Sequence, residues 1–532
     1  MITVSDLSLS FSGQSLFKHV DLKFTPGNCY GIIGANGAGK STFLKILSGQ
    51  LEPSTGSVTI PPHMRMSVLK QDHFAFDAYT VLDTIIMGNR TLYDVGKEKD
   101  TLYEKEDFSD TDGIRAAELE AQFSELGGWE AEADASRLIV GLGLSEQILG
   151  CDMRAISDSE KVKVLLTQAL FGKPEIILLD EPTNQLDAAA VEWLEEFLIE
   201  YPGTVIVVSH DRYFLNNVCT HIVDIDYNQI KMYVGNYEFW YESSQLVQRL
   251  IKAQNKRAEE KITDLQNFIA RFSANKSKSR QATSRKKLLD KLTVEELPVS
   301  SRRYPFVGFT PDREPGKEIL ECSGLSKSVN GQLAFADLTF RLERTDKVCF
   351  LGENALAITE FFKLLAGETE PDSGTVKWGN TTSVSYFPKD NGPFFDGCEL
   401  NLLDWLRQYT TTEDTETFLR GFLGRMLFSG DDVFKPAKVL SGGERVRCML
   451  SRMMLFGSNV LILDQPTDHL DLESITAVNN GLMDFKGVVL FTSHDHEFIQ
   501  TIANRIIELT ADGIRDYRCM YDDYLLQKRA RA

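Results

Sequence analysis

The chain repeats itself, and the repeat constrains its architecture before any single residue is interpreted. Leu7-Ser8-Leu9-Ser10-Phe11-Ser12-Gly13-Gln14 is echoed 318 residues later by Leu325-Ser326-Lys327-Ser328-Val329-Asn330-Gly331-Gln332. Ile176-Ile177-Leu178-Leu179-Asp180-Glu181-Pro182-Thr183 returns 284 residues later as Val460-Leu461-Ile462-Leu463-Asp464-Gln465-Pro466-Thr467. Val208-Ser209-His210-Asp211 returns at the same interval as Thr492-Ser493-His494-Asp495. A chain of 532 residues exceeds one hydrophobic core, so two related domains are expected. The change of interval gives the first copy 34 extra residues between these echoes. The acidic, Glu-, Leu- and Ala-rich stretch from about Thr91 to Trp129 accounts for them, with helical spacing around Ala116 to Leu126. It reads as a helical arm, or as a surface embellishment without a partner.

Composition sets outer limits. Hydrophobic residues make up 42% and charged residues 25%, as in soluble globular proteins. No apolar run approaches the ~20 residues that span a bilayer. The first residues lack the basic-then-apolar pattern of a secretion signal, so a cytoplasmic protein is expected. The eight cysteines are scattered without a C-x-x-C pair, which suggests reduced core thiols rather than zinc or an iron–sulfur cluster. The net charge of -20 argues against non-specific nucleic-acid binding by the whole surface. One stretch departs from that balance. From Gln245 to Leu292, thirteen lysines and arginines stand against four acids, a local balance of +9. Its apolar residues recur near helical spacing, which fits two helices joined near Ser273 to Thr283. Arg271, Lys276, Lys278, Arg280, Arg285, Lys286 and Lys287, interleaved with short polar residues, suit contact with phosphates. A solvated linker is the plainer alternative.

Gly34-Ala35-Asn36-Gly37-Ala38-Gly39-Lys40-Ser41 follows the strand-like Gly31-Ile32-Ile33 and precedes the helix-like Thr42 to Leu47. That context is what a phosphate-binding loop requires. Glycines let backbone N–H groups curl around oxyanions, and the helix N-terminus adds positive potential. Lys40 would neutralise the outer phosphates of ATP and Ser41 would ligate Mg2+. Asp180 ends an apolar strand and would hold the same ion, while Glu181 would polarise the attacking water. His210 is placed to contact the γ-phosphate, and Gln71 to sense γ-phosphate and metal. Phe11 would stack on adenine, with a core phenylalanine as its rival reading.

These motifs, with Leu440-Ser441-Gly442-Gly443-Glu444, resemble the set found in ATP-binding cassette proteins. Two cassettes on one chain, an arm in the first and a charged helical linker resemble the ABC-F family. The resemblance implies an α/β protein of two tandem ATP-binding cassette (P-loop NTPase) domains joined by a long helical-hairpin linker. The implied boundaries are 1–243 for the first cassette, with the arm at about 91–130, then 244–300 for the linker and 318–527 for the second cassette. It implies an ATPase that binds ATP and Mg2+ and acts on the ribosome near the exit-site tRNA, as a translation factor or in antibiotic protection. The linker would point toward the peptidyl-transferase region and the arm toward the ribosomal stalk. Such a protein acts as a monomer with intramolecular pairing of its cassettes, the phosphate loop of each facing the signature of the other.

On that pattern the first loop receives Ser441, Gly442, Gly443 and Glu444 and is complete, with Gly34, Asn36, Gly37, Ala38, Gly39, Lys40, Ser41 and Thr42 around ATP. The opposite site is damaged throughout. Ala357 and Ile358 replace Gly39 and Lys40, and Thr359 follows them. Lys389 stands for Gln71, Gln465 for Glu181 and Val329 for Phe11. Its signature, Ser157-Asp158-Ser159-Glu160, has lost both glycines. Asp464, Asp471 and His494 persist, as expected of residues kept for structure and domain coupling. One competent site and one degenerate site are therefore expected. A transporter's ATPase subunit with separate membrane partners is the alternative, and a regulatory protein that hardly turns over ATP is a third reading.

Overall fold

Runs such as Ile176–Leu179 and Val460–Leu463 are apolar at every position, which suits parallel strands covered on both faces. In the computed structural model both are such strands. The structure describes residues 1–532 apart from 12–13, 63, 71, 73, 106–107, 185, 248, 251–261, 263, 265–301, 330, 353, 411–414, 511–512 and 531–532. The linker expected at 244–300 lies almost wholly outside the described residues, as do all seven basic contact candidates from Arg271 to Lys287.

The first cassette contains β1 (Ile2–Phe11), β2 (Gln14–Phe24), β3 (Asn28–Gly34), β4 (Thr55–Thr59), β5 (Met66–Val68), β6 (Ile176–Asp180), β7 (Thr204–Val208), β8 (His221–Asp226) and β9 (Gln229–Val234). An antiparallel sheet runs β2-β1-β4, and a six-stranded sheet runs β5-β6-β7-β3-β8-β9, parallel except for the β8–β9 hairpin. The second cassette contains β10 (Leu320–Val329), β11 (Gln332–Leu342), β12 (Lys347–Gly352), β13 (Ser373–Trp378), β14 (Val384–Phe387), β15 (Val460–Asp464), β16 (Val488–Thr492), β17 (Arg505–Thr510) and β18 (Gly513–Tyr517). Its sheets, β11-β10-β13 and β14-β15-β16-β12-β17-β18, reproduce the same orders.

The duplication reaches into irregularities. The β1–β2 ladder shifts register between Val4 and Leu7, Leu7 and Leu9, and Leu9 and Ser10. The β10–β11 ladder shifts at Cys322/Leu325, Leu325/Lys327 and Lys327/Ser328, the equivalent places. In each cassette an edge-to-face aromatic pair joins the antiparallel sheet to one helix. Phe17 and Phe43 lie 5.9 Å apart, and Phe335 and Phe361 lie 5.8 Å apart. The core around them is fully buried, including Ile32 and Leu178 in one copy and Phe350 and Ile462 in the other.

Between the helices Val81–Ile86 and Ala131–Gly141, the first cassette carries two long helices, Arg90–Tyr103 and Asp110–Glu125. The second cassette passes from Leu402–Arg407 to Glu416–Arg425. The two long helices join through Val95, Leu102, Ala116 and Leu119, a small apolar cluster of their own. Arg115 clasps Glu98 across them, and Ser109 with Asp112 forms a capping box at the start of the second.

The described chain falls into two compact units. One comprises the residues up to Ser209 with the chain from Phe214, and the other comprises Arg302–Ala532 with His210–Tyr213. Of the cysteines, Cys29, Cys219, Cys322, Cys349 and Cys448 are buried, Cys398 and Cys519 are half-buried, and Cys151 is exposed, so the expectation of core thiols holds for five. No helix among the described residues is long and apolar enough to cross a membrane.

Candidate functional site

Parallel strands deliver the chemistry of the first cassette to one edge of its sheet. β6, β7 and β3 are neighbours, with Asp180 in register with Val208 and Ile32 with Val208. The chain leaves β3 into the phosphate loop, β6 into Asp180-Glu181 and β7 into Ser209-His210. Ligands of open parallel sheets bind at these carboxyl ends.

Gly34 ends β3, and the helix Lys40–Leu47 starts only after Gly37 and Gly39 have turned the backbone at φ 80° and 102°. Those values belong to the left-handed region, open to glycine and strained for other residues. A Cβ on Gly39 would also stand 3.4 Å from Leu16. Asn36 and Ser41 are exposed, and Ala38 and Thr42 half-buried. Lys40 is 8% exposed, and its Nζ donates to Gly34 O at 2.7 Å and Ala35 O at 3.3 Å. The ammonium is thus held against its own loop, where an anionic phosphate would add to its partners.

Asp180 and Glu181 are half-buried at the end of β6. Glu181 adopts φ 53°, unusual for a side chain of this kind, and its N–H donates to Val208 O at 2.8 Å. His210 is half-buried two residues beyond β7. Gln71 and the side chain of Phe11 lie outside the described residues. Ser41 and Asp180, a hydroxyl and a carboxylate, form an oxygen donor set suited to Mg2+. Their counterparts in the second cassette, Thr359 and Asp464, meet directly, Oγ1 donating to Oδ2 at 2.7 Å.

In the second cassette the loop has been rebuilt as helix. Ala355–Ala366 begins at the counterpart of Gly37, three positions earlier than the first cassette's helix. Asn354 caps it, its Oδ1 accepting from Leu356 N at 3.1 Å and Ala357 N at 3.3 Å. The amides of Leu356 and Ala357, the counterparts of Ala38 and Gly39, are thereby bonded within the chain. Ala357, the counterpart of Gly39, is helical and 3% exposed, so no left-handed glycine geometry remains at its position. Ile358 is 4% exposed, within the apolar core of β12 and β15. Burial pushes the Asp464 carboxyl up to about 6 despite the Thr359 hydroxyl. Gln465 repeats the left-handed backbone of Glu181 at φ 52°, while Lys389 and His494 are exposed.

Ser441 is the N-cap of the helix Gly442–Leu455 and forms a capping box with Glu444. A Cβ on Gly442 would lie 3.3 Å from His469, which leaves little room for a larger residue. Gly443 follows in the first turn. The equivalent helix Asp158–Leu170 keeps the capping box, through Ser157 and Glu160, while having lost both glycines. Reading the sequence did not single out Asn354 or Arg445. The signal for Asn354 was present in an N-cap residue followed by the helix formers Ala355, Leu356 and Ala357. Lys163 was also overlooked; its Nζ donates at 2.6 Å to Asp187, which caps the helix Ala188–Ile199.

Comparison with known proteins agrees with this architecture. A family model described as ABC transporter matches residues 17–184 and 335–468, and a second with the same description matches 223–308. The ABC transporter ATP-binding protein YkpA of Bacillus subtilis (strain 168) is 62% identical over 99% of this chain and 97% of its own length. The probable ATP-binding protein YbiT of Escherichia coli O157:H7 is 44% identical over 99% of both chains. The energy-dependent translational throttle protein EttA of Escherichia coli (strain K12) is 30% identical over 94% of this chain and 90% of its own. Among solved structures, archaeal ribosome recycling factor aABCE1, in complex with the ribosomal stalk protein aP1, matches with a TM-score of 0.62 at 18% identity, covering 99% of this chain and 92% of that one. That likeness is one of fold.

Proposed function

The chain belongs to the ABC-F family of ATP-binding cassette proteins, and from that premise we propose that it is a cytoplasmic ATPase with one competent site, acting as a monomer on the ribosome in translation regulation or ribosome protection. The asymmetry between the two loops carries the reading. One loop keeps left-handed glycines and a lysine at its mouth, and the other has become a capped helix. A relative named a translational throttle supports the choice of target.

In the proposed reaction Lys40 and the loop N–H groups bind the triphosphate, and Ser441, Gly442 and Gly443 complete the pocket. The Glu181 carboxylate accepts a proton from water as the water attacks the γ-phosphorus. His210 orients the γ-phosphate. Ser41, Asp180 and Gln71 would hold Mg2+, which supplies charge neutralisation at the phosphates. Closure with ATP bound and release after hydrolysis would gate the factor on its target.

Glu181→Gln should nearly abolish steady-state hydrolysis while leaving ATP binding intact; wild-type turnover in this variant contradicts the assignment. The same variant should co-sediment with purified ribosomes when ATP is present, and more weakly once the basic residues between Arg271 and Lys287 are neutralised. Failure to pellet despite measured ATP binding would leave the ATPase core standing and shift the target to a membrane partner.

A further inference from the structure

The signature loops of the two cassettes are wired differently. Arg445 stands one residue after Glu444 in the helix that Ser441 caps. Its guanidinium makes three separate contacts. Nε donates to Leu440 O at 3.2 Å, Nη2 to Lys438 O at 3.3 Å, and Nη1 to Asp396 Oδ1 at 2.9 Å. Lys438 and Leu440 are the residues that lead into Ser441, and Asp396 lies in the segment after the helix Gly392–Phe395. One planar fork therefore pins the approach to the signature at two carbonyls and ties it to a third element.

The equivalent residue in the first cassette is Lys161. It is 4% exposed and makes an ion pair with Asp77 at 2.7 Å, with its ammonium 4.7 Å from the Phe74 ring. An ammonium is a point charge and has no rigid fork with which to span two carbonyls and a carboxylate. The cassette whose signature kept Gly442 and Gly443 has the arginine, and the one that lost both glycines has the lysine.

We propose that Arg445 is a positioning residue for ATP hydrolysis: it holds the chain before Ser441 so that the Ser441 hydroxyl and the Gly442–Gly443 backbone are set before ATP arrives. This rests on the proposed function, in which that signature touches ATP. Asp396 is its anchor. Arg445 touches no substrate, and it acts through the loop. A loop displaced by a fraction of an ångström mainly weakens the transition state, so turnover suffers more than binding.

The test is steady-state kinetics on the full chain, with melting temperatures recorded in parallel. Arg445→Lys installs the wiring of the other cassette and should lower kcat about tenfold or more, with KM changed less than about twofold. Asp396→Asn, an exposed change with little risk to folding, should lower kcat in the same direction by a smaller factor. Lys161→Arg should leave both constants unchanged. Wild-type kcat in Arg445→Lys and Asp396→Asn overturns the proposal, as does a loss that vanishes when activity is corrected for the folded fraction. An increase in KM with kcat retained also overturns it. The Glu181→Gln control separates the two readings: full turnover there removes the active site itself, whatever Arg445 does.

Discussion

Glu181 and Gln465 share a backbone conformation that few side chains tolerate, at φ 53° and 52°. The conformation is held in both copies by the N–H, which donates to Val208 O at 2.8 Å and to Thr492 O at 3.1 Å. In the first cassette the strain turns a carboxylate out of the strand end, where the proposed reaction uses it. In the second there is no carboxylate, and the Gln465 side chain, 6% exposed, leaves its Oε1 without a hydrogen-bond partner among the described residues. Gln465→Gly should therefore stabilise the protein by about 1 kcal/mol, since relief of the left-handed penalty exceeds glycine's extra unfolded-state entropy. Urea unfolding measures this, and a destabilised variant would show that the glutamine earns its place by contacts instead. None of it was legible beforehand. Asp-Glu-Pro-Thr announces an acidic strand end, but nothing in the letters states the φ of its second residue, which the fold imposes.

At the scale of elements, contiguous motifs were the legible part. Gly34–Ser41 and Ile176–Thr183 each place several chemical groups on one strand and turn, so the repeated α/β cassettes followed from them. The rebuilt loop was harder to read. The eye goes to Ile358 for the missing charge, whereas the larger change is that Ala355-Leu356-Ala357 replaces Gly37-Ala38-Gly39 and lets the helix begin early. The helix Ala188–Ile199 holds another feature that periodicity hides. Glu195 is 8% exposed and accepts from Asn217 Nδ2 at 3.0 Å, and burial pushes its carboxyl from 4.5 up to about 7. The second cassette solves the same contact neutrally, with Thr501 Oγ1 donating to Asn479 Oδ1 at 2.8 Å. The folded protein holds the Glu195 proton more tightly than the unfolded chain does. Its contribution is thus complete below pH 4.5 and is lost as pH rises toward 7. Glu195→Gln should stabilise the protein by up to about 3 kcal/mol at pH 8 relative to its effect at pH 4.5. Denaturant unfolding of variant and parent at both pH values reads the difference, and a gap independent of pH contradicts the assignment.

For the molecule as a whole, identical strand orders and identical register shifts carry two chemically unlike cassettes. Calorimetry on the Glu181→Gln chain should give one tightly bound ATP, and two would overturn the assignment of the second loop. That loop also bears on the protein's history. Ile358 now packs in the core, so Ile358→Lys would bury an unpaired charge. The variant should melt at a lower temperature and still bind a single ATP, because Asn354 continues to occupy the N–H groups of Leu356 and Ala357. Recovery would need the glycines, the lysine and release of the cap together, and each change made alone loses stability without gaining a ligand. On the proposed reading of this loop, the early helix start would therefore act as a ratchet: single substitutions toward the first cassette's sequence would not restore a phosphate site.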